Sequence, residues 1–475
     1  MDIITGRTAE FQLLNKYMGS RRAEFVAIYG RRRVGKTFLI RNFFQDQFDF
    51  FATGIIGGSK KEEMAAFNRA LAKYGHKGAK AKTWMEAFAQ LGDLLETKKR
   101  KKRCVVFIDE LPCFDTRNAG FVHALDYFWN SKGAWMDNLF FVICGSATSW
   151  IIRNIIDNHG GLHNRITHEM HLKPFTLQQA EDYVASRNGN WNRLSILHAY
   201  MAVGGVPYYW SLFDFEDSVA ANIDRLFFSD DAELHREYKR LFMSLYKNAD
   251  NYMEIIGKLA EHKQGLTRKE IAEKLKMRDN GHLSGMLDDL VNCDFVRSYH
   301  NGGKQNRAIF QLMDFYTLFY HHFCKKRSSD IHFWQNKIGS PSISTWYGLA
   351  YERICMYHIR HVIQALHLDT IHTEFYSWRS KESEPGAQID IIIDRSDDMI
   401  TLCEVKYSKT KYSLPKDEYE RILHRADAFT NETKCKKGIQ IVLVTTFGQQ
   451  RSGNYPEIAS RSITLDDFFV DLPMK

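Results

Sequence analysis

Gly30-Arg-Arg-Arg-Val-Gly-Lys-Thr37 is the stretch that decides the fold. It has the spacing GxxxxGK followed by Thr, with the β-rich run Phe25-Val-Ala-Ile-Tyr29 before it and a helix-like run, Phe38 to Phe44, after it. Strand, glycine-rich loop and helix is the context in which this spacing forms a phosphate cradle. The glycines let backbone N–H groups curl around phosphate, and the helix N-terminus adds a favourable dipole. In such a loop Lys36 reaches the β- and γ-phosphates and Thr37 holds Mg²⁺. The expected nucleotide-binding set is Gly30, Arg31, Arg32, Arg33, Val34, Gly35, Lys36, Thr37 and Phe38. ATP and Mg²⁺ are the expected ligands.

Further along, Val105-Val-Phe-Ile-Asp109-Glu110 is an apolar strand ending in two acids, about 70 residues beyond the loop. Asp109 is expected to bind Mg²⁺, and Glu110 to polarise the attacking water. Read alone, the pair is also compatible with a buried strand capped by solvated acids. Cys144-Gly-Ser146 ends the next apolar strand, Leu139 to Cys144. In a parallel sheet that end lies beside the phosphates, so Ser146 reads as a γ-phosphate sensor or as a plain helix cap. Arg165, in Leu162-His-Asn-Arg-Ile, reads either as a charge-stabilising arginine or as a surface one. Acting in trans, it would imply a homo-oligomer. The basic run Lys98 to Arg103 reads as a solvated loop before it reads as a nucleic-acid contact.

The chain has 475 residues, which suggests about three domains. With 44% hydrophobic and 26% charged residues it has an ordinary globular balance. No apolar run approaches the ~18 residues of a membrane span, and Met1 to Arg7 lack a signal-peptide pattern. A cytoplasmic protein without membrane contact is expected. The eight cysteines form no CxxC pair, so buried thiols explain them better than disulfides or zinc. A formal charge of +8 permits nucleic-acid binding without requiring it.

Residues 1–175 alternate strand-like and helix-like runs, the pattern of a parallel sheet with crossovers. Residues 176–245 read as a helical lid. Residues 246–325 give three short helices and a hairpin, the order of a winged helix. Thr267 and Glu270 form a capping box there, a helix runs near Asn280 to Asn292, and Asn301-Gly-Gly turns between Phe295–Tyr299 and Ala308–Leu312. The third helix carries Asp288 and Asp289 and no Lys or Arg, which opposes phosphate contact. The wing offers Lys304, Arg307 and nearby His300. DNA binding and a structural or autoinhibitory role both stay open.

Residues 340–475 mix a helix, about Trp346 to Leu366, with strands near Gln388–Ile393, Thr401–Lys406 and Ile439–Thr445. Asp390 lies on one strand and Cys403-Glu404-Val-Lys406 ends the next, thirteen residues intervening between Asp390 and Glu404. This is the D…ExK arrangement of restriction-endonuclease-like folds. Residues i and i+2 of a strand share a face, so Glu404 and Lys406 point together and Asp390 can meet them. Asp390 and Glu404 would bind Mg²⁺, Lys406 would orient or activate water, and Glu352 on the preceding helix could add a carboxylate. A sheet with exposed acids and no metal, or a decayed nuclease used for binding, stays open too.

With GRRRVGKT, FIDE, ICGS, LHNR and Lys173-Pro-Phe175 in this order, the chain resembles the archaeal-type ATPases within the AAA+/STAND P-loop NTPases. The resemblance implies that a GxP motif in the lid, here Gly205-Val-Pro207, contacts nucleotide through Pro207. It implies that Thr5-Gly-Arg7 lies near the adenine, and it fits a C-terminal PD-(D/E)xK nuclease-like domain. The expected architecture is thus multidomain α/β: P-loop ATPase core, helical lid, winged helix, and a restriction-endonuclease-like α/β domain. The expected function is an ATP-dependent, DNA-associated regulator or defence-type switch with a candidate Mg²⁺-dependent nuclease. The alternative is a signalling or assembly switch whose C-terminal domain binds a protein partner. A dedicated DNA motor ranks last, since no second set of motor motifs is present.

Overall fold

The run Glu24–Tyr29 is apolar on both faces because layers cover it on both sides. It is β1, and its residues up to Ile28 are buried. Parallel sheets buried on both faces read as continuous apolar runs, as this one does. The computed structural model describes residues 4–98, 102–157, 162, 164–300, 308–325, 328–380, 386–450 and 462–472. The wing residues Lys304 and Arg307, the Asn301-Gly-Gly turn, His163 and the centre of the basic run (99–101) lie outside the described residues.

β1 joins β2 (Phe50–Thr53), β3 (Cys104–Asp109), β4 (Leu139–Gly145) and β5 (His168–His171) in a parallel sheet of order β2-β3-β4-β1-β5. β4 therefore lies between the loop-bearing strand and the acid-bearing strand. That places Ser146, just past β4, beside both. Separate apolar clusters cover the two faces, one around Phe25, Phe88 and Phe141, the other around Val26, Leu39 and Phe107. Arg103 of the basic run is spent inside the molecule, donating to the carbonyls of Tyr17 and Arg22 at 2.8 Å each. A nucleic-acid contact at that residue is not what the fold uses it for.

Helices Leu177–Ser186, Arg193–Val203 and Glu233–Leu245 follow. Then come Ala249–Ala260, Arg268–Leu275 and Gly281–Asn292, with an antiparallel sheet of β6 (Leu266–Thr267), β7 (Val296–His300) and β8 (Ala308–Leu312), order β6-β8-β7. The Thr267–Glu270 capping box is present, and Asn280 caps the third of these helices. In the C-terminal part, helix Pro341–Tyr357 precedes an antiparallel meander, β9 (Thr373–Arg379), β10 (Gln388–Arg395) and β11 (Met399–Lys406). Helix Lys416–Thr433 then leads to β12 (Gly438–Thr445) and β13 (Ser462–Ile463), parallel to β11 and to each other. One apolar cluster runs from Phe175 and Tyr200 through Leu287 and Phe319 to Val405 and Phe468, so the helical parts and the C-terminal sheet share a core. All eight cysteines are free thiols. Among the described residues no helix is long and apolar enough to cross a membrane.

The helix expected from about Trp346 to Leu366 is two helices, Pro341–Tyr357 and Ile359–Ala365, broken at His358. The buried imidazole explains the break. Nδ1 lies 3.0 Å from the Ile354 carbonyl, and Nε2 accepts from the Leu177 backbone N–H at 3.2 Å. Both nitrogens are used by the neutral ring, so protonation would forfeit the second bond. Burial, with His361 adding to it, pushes the His358 pKa down to about 3. An unfolded histidine titrates near 6.5. The stabilisation is therefore complete above about pH 6.5 and is lost as pH falls toward 3, because the unfolded chain takes up the proton first. The urea midpoint should decline from pH 6.5 to 4. His358→Gln should start lower at pH 7 but decline less steeply, by about 1.4 kcal/mol per pH unit for the one proton removed.

Candidate nucleotide site and C-terminal charge cluster

The loop after β1 needs its glycines. Gly30 has φ +144°, and a Cβ there would sit 2.3 Å from the Leu172 carbonyl oxygen at the end of β5. Gly35 has φ +90° and caps the helix Lys36–Phe43. Arg33 also adopts positive φ, +72°. The turn aims Lys36 inward, and its ammonium donates to the carbonyls of Gly30 and Arg31 at 2.8 and 2.9 Å. Burial pulls the Lys36 pKa below its ordinary value, against Cys144, Glu110 and Asp109, which pull it up.

Thr37 Oγ1 donates to the Asp109 carboxylate at 2.9 Å. Asp109 is 5% exposed. Burial raises its pKa, while the Cys144 thiol, 2.7 Å away, and Thr37 lower it. Glu110 stands at the strand end with φ +47°, and its Oε2 accepts from the Ser146 backbone N–H and hydroxyl at 3.1 and 3.0 Å. The structure thus brings Lys36, Thr37, Asp109, Glu110 and Ser146 to one end of the sheet.

A cavity of about 470 Å³ opens over these residues. Thr5, Arg7, the stretch Arg32–Phe38, Glu110, Ser146 and Pro207 line it, together with Phe175, Tyr183, Arg187, Tyr208 and Ser211. Arg7 donates to the Val34 carbonyl at 3.0 Å and lies over the Phe175 ring. The Nη1 of Arg32 is buried in this wall without a hydrogen-bond partner among the described residues. Backbone N–H groups in a positive-φ turn, an ammonium at the floor and an orphaned guanidinium donor fit a polyphosphate. The Thr37 hydroxyl and Asp109 carboxylate are hard oxygen donors that fit Mg²⁺.

Three expected residues stand apart. Arg31 turns its side chain away: the guanidinium is 2% exposed, pairs with Asp314 and lies over the Phe295 ring, leaving only its backbone to the loop. Gly30 shapes the loop without lining the cavity. Arg165 is exposed and outside the cavity wall. Tyr183, Arg187 and Ser211 carried no motif to mark them. Tyr208, next to Pro207 in the GxP stretch, was within reach of sequence reasoning.

In the C-terminal sheet Ile391 pairs with Cys403, so Asp390 and Glu404 follow the last pair of the neighbouring strands β10 and β11. The cluster is filled by the protein's own cations. Both oxygens of Glu404 lie 2.8 Å from Arg425 Nη1. Lys406 Nζ lies 2.8 Å from Glu404 and 2.9 Å from Glu418. Burial opposes the charge on Lys406, yet Glu404 and Glu418 hold its pKa above the ordinary value. Glu352 pairs with Lys263 at 2.6 Å. Burial, then the Asp390 charge, pushes the Glu352 pKa up to about 7, against Lys263 and Arg353. Carboxylate oxygens are the right donors for Mg²⁺. Even so, among the described residues no group of three or more His, Cys, Asp or Glu is arranged to hold a metal ion. Glu352, Asp390 and Glu404 are not gathered into one cradle; Lys263 pairs with Glu352 and Arg425 with Glu404. Glu418 and Arg425 were missed in the sequence because they come from the following helix, seven residues apart on a charged, amphipathic surface.

Residues 4–213 match an ATPase domain found predominantly in Archaea. This archaeal-type ATPase domain spans the parallel sheet, the glycine-rich loop and the following helices as far as Ser211 and Phe213, which covers the whole cavity wall. Residues 318–422 match a second family, archaeal and bacterial proteins of unknown function, and include Glu352, Asp390, Glu404, Lys406 and Glu418. An uncharacterized protein of Methanocaldococcus jannaschii is 23% identical over 323 residues, 66% of this chain and 67% of its own length. Among solved structures, the Walker-type ATPase of Pyrococcus abyssi aligns with TM-score 0.45 and 18% identity over 67% of this chain and 96% of its own. Cdc6p of Pyrobaculum aerophilum and the Drosophila ORC bound to DNA each give TM-score 0.30 and 15% identity, covering 66% and 68% of this chain and 92% and 87% of theirs. The architecture of the ATPase domain rests on its strand order and loop, not on these scores.

Proposed function

We propose that the chain is an ATP-hydrolysing switch whose nucleotide loop is mechanically tied to its helical and C-terminal parts. The observation that carries this is the joining of the loop, Glu110 and the Pro207–Tyr208 segment around one cavity of about 470 Å³. Lys36 would bind the phosphates, Thr37 and Asp109 would hold Mg²⁺, and Pro207 and Tyr208 would meet the nucleotide from the lid side. Bound Mg²⁺ would neutralise charge developing on the transferred phosphoryl group. Glu110, once released from Ser146, would accept a proton from the attacking water.

The tie is carried by the loop's own arginines. Arg33 pairs with Glu237 on helix Glu233–Leu245 at 2.6 Å and lies 3.8 Å over the Tyr208 ring. Arg31 pairs with Asp314, which caps the helix Phe315–Phe319. A change in loop conformation therefore changes contacts on two distant elements. Differential contact of this kind is what a ligand-driven switch requires.

The three-helix unit with β6, β7 and β8 fits a winged helix, and its third helix favours the structural or autoinhibitory reading. Asp289 of that helix pairs with Arg153 of the ATPase domain and accepts from Tyr252 at 2.6 Å. Asn292 donates to Ser149 at 3.3 Å, and His171 lies 2.9 Å from Asp294. The helix that would read a major groove is thus docked on the sheet's carboxyl edge. DNA association would require its release.

For the C-terminal part, a helix, an antiparallel meander, a second helix and a parallel strand, with Asp390 and Glu404 on neighbouring strands, support a nuclease-like domain. Its acids would serve as a divalent-cation site once freed from their cationic partners.

The test of the ATPase reading is Glu110→Gln. Its kcat for Mg²⁺-dependent ATP hydrolysis should fall by about 10²-fold while ATP affinity is retained. Unchanged turnover would remove Glu110 from the chemistry.

A further inference from the structure

Arg31, Arg32 and Arg33 stand side by side in the loop after β1, and the fold engages the first and the third. Arg31 turns into the interior to Asp314, while Arg33 reaches Glu237 and lies over the Tyr208 ring. The Nη1 of Arg32, in contrast, is buried in the cavity wall without a hydrogen-bond partner among the described residues. A buried donor left without an acceptor is costly, so such a group asks for a ligand. The cavity it lines is the one bounded by Lys36, Glu110 and Ser146.

The backbone fixes where this arm starts. Lys36 Nζ donates to the Arg31 carbonyl at 2.9 Å. That carbonyl belongs to the peptide leading into Arg32, so the Arg32 side chain leaves the loop beside the ammonium that would take the phosphates. It lies toward the acids as well. Burial and the charges of Glu110, Glu63 and Asp109 push the Cys113 pKa up to about 12, and the Arg32 charge works against them. Arg32 is thus within electrostatic reach of the same thiol as Glu110 and Asp109. The rival arginines are placed differently. Arg7 is committed to Val34 and Glu10. Arg187 is exposed just past the helix Leu177–Ser186 and lies over the Tyr183 ring. Arg165 is exposed and outside the wall.

We propose that Arg32 is a catalytic arginine acting in cis: its guanidinium meets the γ-phosphoryl group of ATP and stabilises the charge that gathers there during transfer, so one chain hydrolyses ATP without an arginine from a second copy. This rests on the ATPase reading of the same cavity. In the step a water oxygen bonds to the γ-phosphorus while the bond from that phosphorus to the β,γ-bridging oxygen breaks. The electron pair of the broken bond stays on the leaving ADP, Glu110 takes one proton of the water, and inorganic phosphate leaves with the other. No atom changes oxidation state. Charge in flight is spread over the equatorial oxygens of the phosphoryl group, and a planar fork of N–H donors matches two of them at once. A donor that gains strength as this charge develops raises kcat rather than ATP affinity.

The experiment follows phosphate release by full-length protein at saturating Mg²⁺ and ATP over a wide range of protein concentration. Beside it, binding is measured for a non-hydrolysable ATP analogue and for ADP with and without aluminium fluoride, a mimic of the phosphoryl group in flight. Arg32→Ala should lower kcat by about 10²-fold and lose the extra affinity that aluminium fluoride gives to ADP, while affinity for the analogue stays within about threefold. Arg165→Ala should behave as the wild type, whose rate per chain should not depend on concentration. Arg32→Gln, which keeps a polar end, carries the test if Arg32→Ala fails to fold, as judged by its thermal melt. Unchanged turnover in the Arg32 variants, or an equal loss of affinity for the analogue and for ADP with aluminium fluoride, would overturn the assignment. A rate per chain that climbs with concentration and collapses in Arg165→Ala would place the arginine in trans, overturning the assignment and leaving the ATPase reading standing. No phosphate release by the wild type would overturn the ATPase reading, and the assignment with it.

Discussion

Lys36→Ala lowers kcat/KM for ATP hydrolysis by about 10³-fold or more, the largest loss expected of any single substitution in the ATPase domain. The side chain is 6% exposed and occupies the floor of the loop. Its three N–H donors meet two backbone carbonyls and face the cavity. In the variant those carbonyls lose their donor, and phosphate loses the one compact cation at the floor. Arg7 and Arg32 remain in the wall, but Arg7 is committed to Val34 and Glu10. Lys36→Arg should not restore activity, because a planar guanidinium does not fit a slot shaped for an ammonium. Phosphate release at saturating Mg²⁺, measured across ATP concentrations, checks both variants. Glu110→Gln serves as the comparison that loses turnover without losing affinity.

The second large effect is on stability. Asp314→Asn should cost about 3–5 kcal/mol, although it removes only a charge. Arg31 and Asp314 are each 2% exposed in their side chains. Asp314 also caps its helix, accepting from the Thr317 backbone N–H at 3.0 Å. An asparagine keeps the capping oxygen and so isolates the loss of the ion pair. What remains is a guanidinium deep in the interior without its ion-pair partner, eased by the Phe295 ring and by the charge of Asp294. Replacing both partners with apolar residues, Arg31→Met with Asp314→Leu, should recover most of the stability, since no charge is then stranded. Calorimetric melts of the single and double variants check this. If the pair also couples the loop to the three-helix unit, the double variant will be stable but its ATP response in that unit will be lost.

The nucleotide loop was legible in the sequence because its chemistry is local. Glycines, lysine and threonine lie within eight positions, and the strand before them is a continuous apolar run. β3 and β4 were legible for the same reason. β2 and β5 were not: each has four residues at a sheet edge, and His168-Glu-Met-His171 has no apolar pattern at all. Parallel pairing with β1, not side-chain burial, makes β5 a strand. β9 is an edge strand too, with mixed polarity.

The limit at the sites was of a different kind. Arg31 sits in the motif but serves packing, because its partner Asp314 lies far along the chain and nothing local announces the pair. Arg425 and Lys263 neutralise Glu404 and Glu352 from separate elements, so a motif of carboxylates alone overstated how open the C-terminal acids are. Asp288 and Asp289 oppose phosphate contact by their charge, and Asp289 is bound to Arg153.

Hydrogen exchange of the wild type and Lys36→Ala, with and without ATP and Mg²⁺, tests most directly whether nucleotide occupies the cavity between loop and lid. Binding there slows exchange together at residues 4–7, 32–38 and 207–211 in the wild type and at none of them in Lys36→Ala. Protection confined to other segments, or no protection at the loop at saturating ATP, would contradict it.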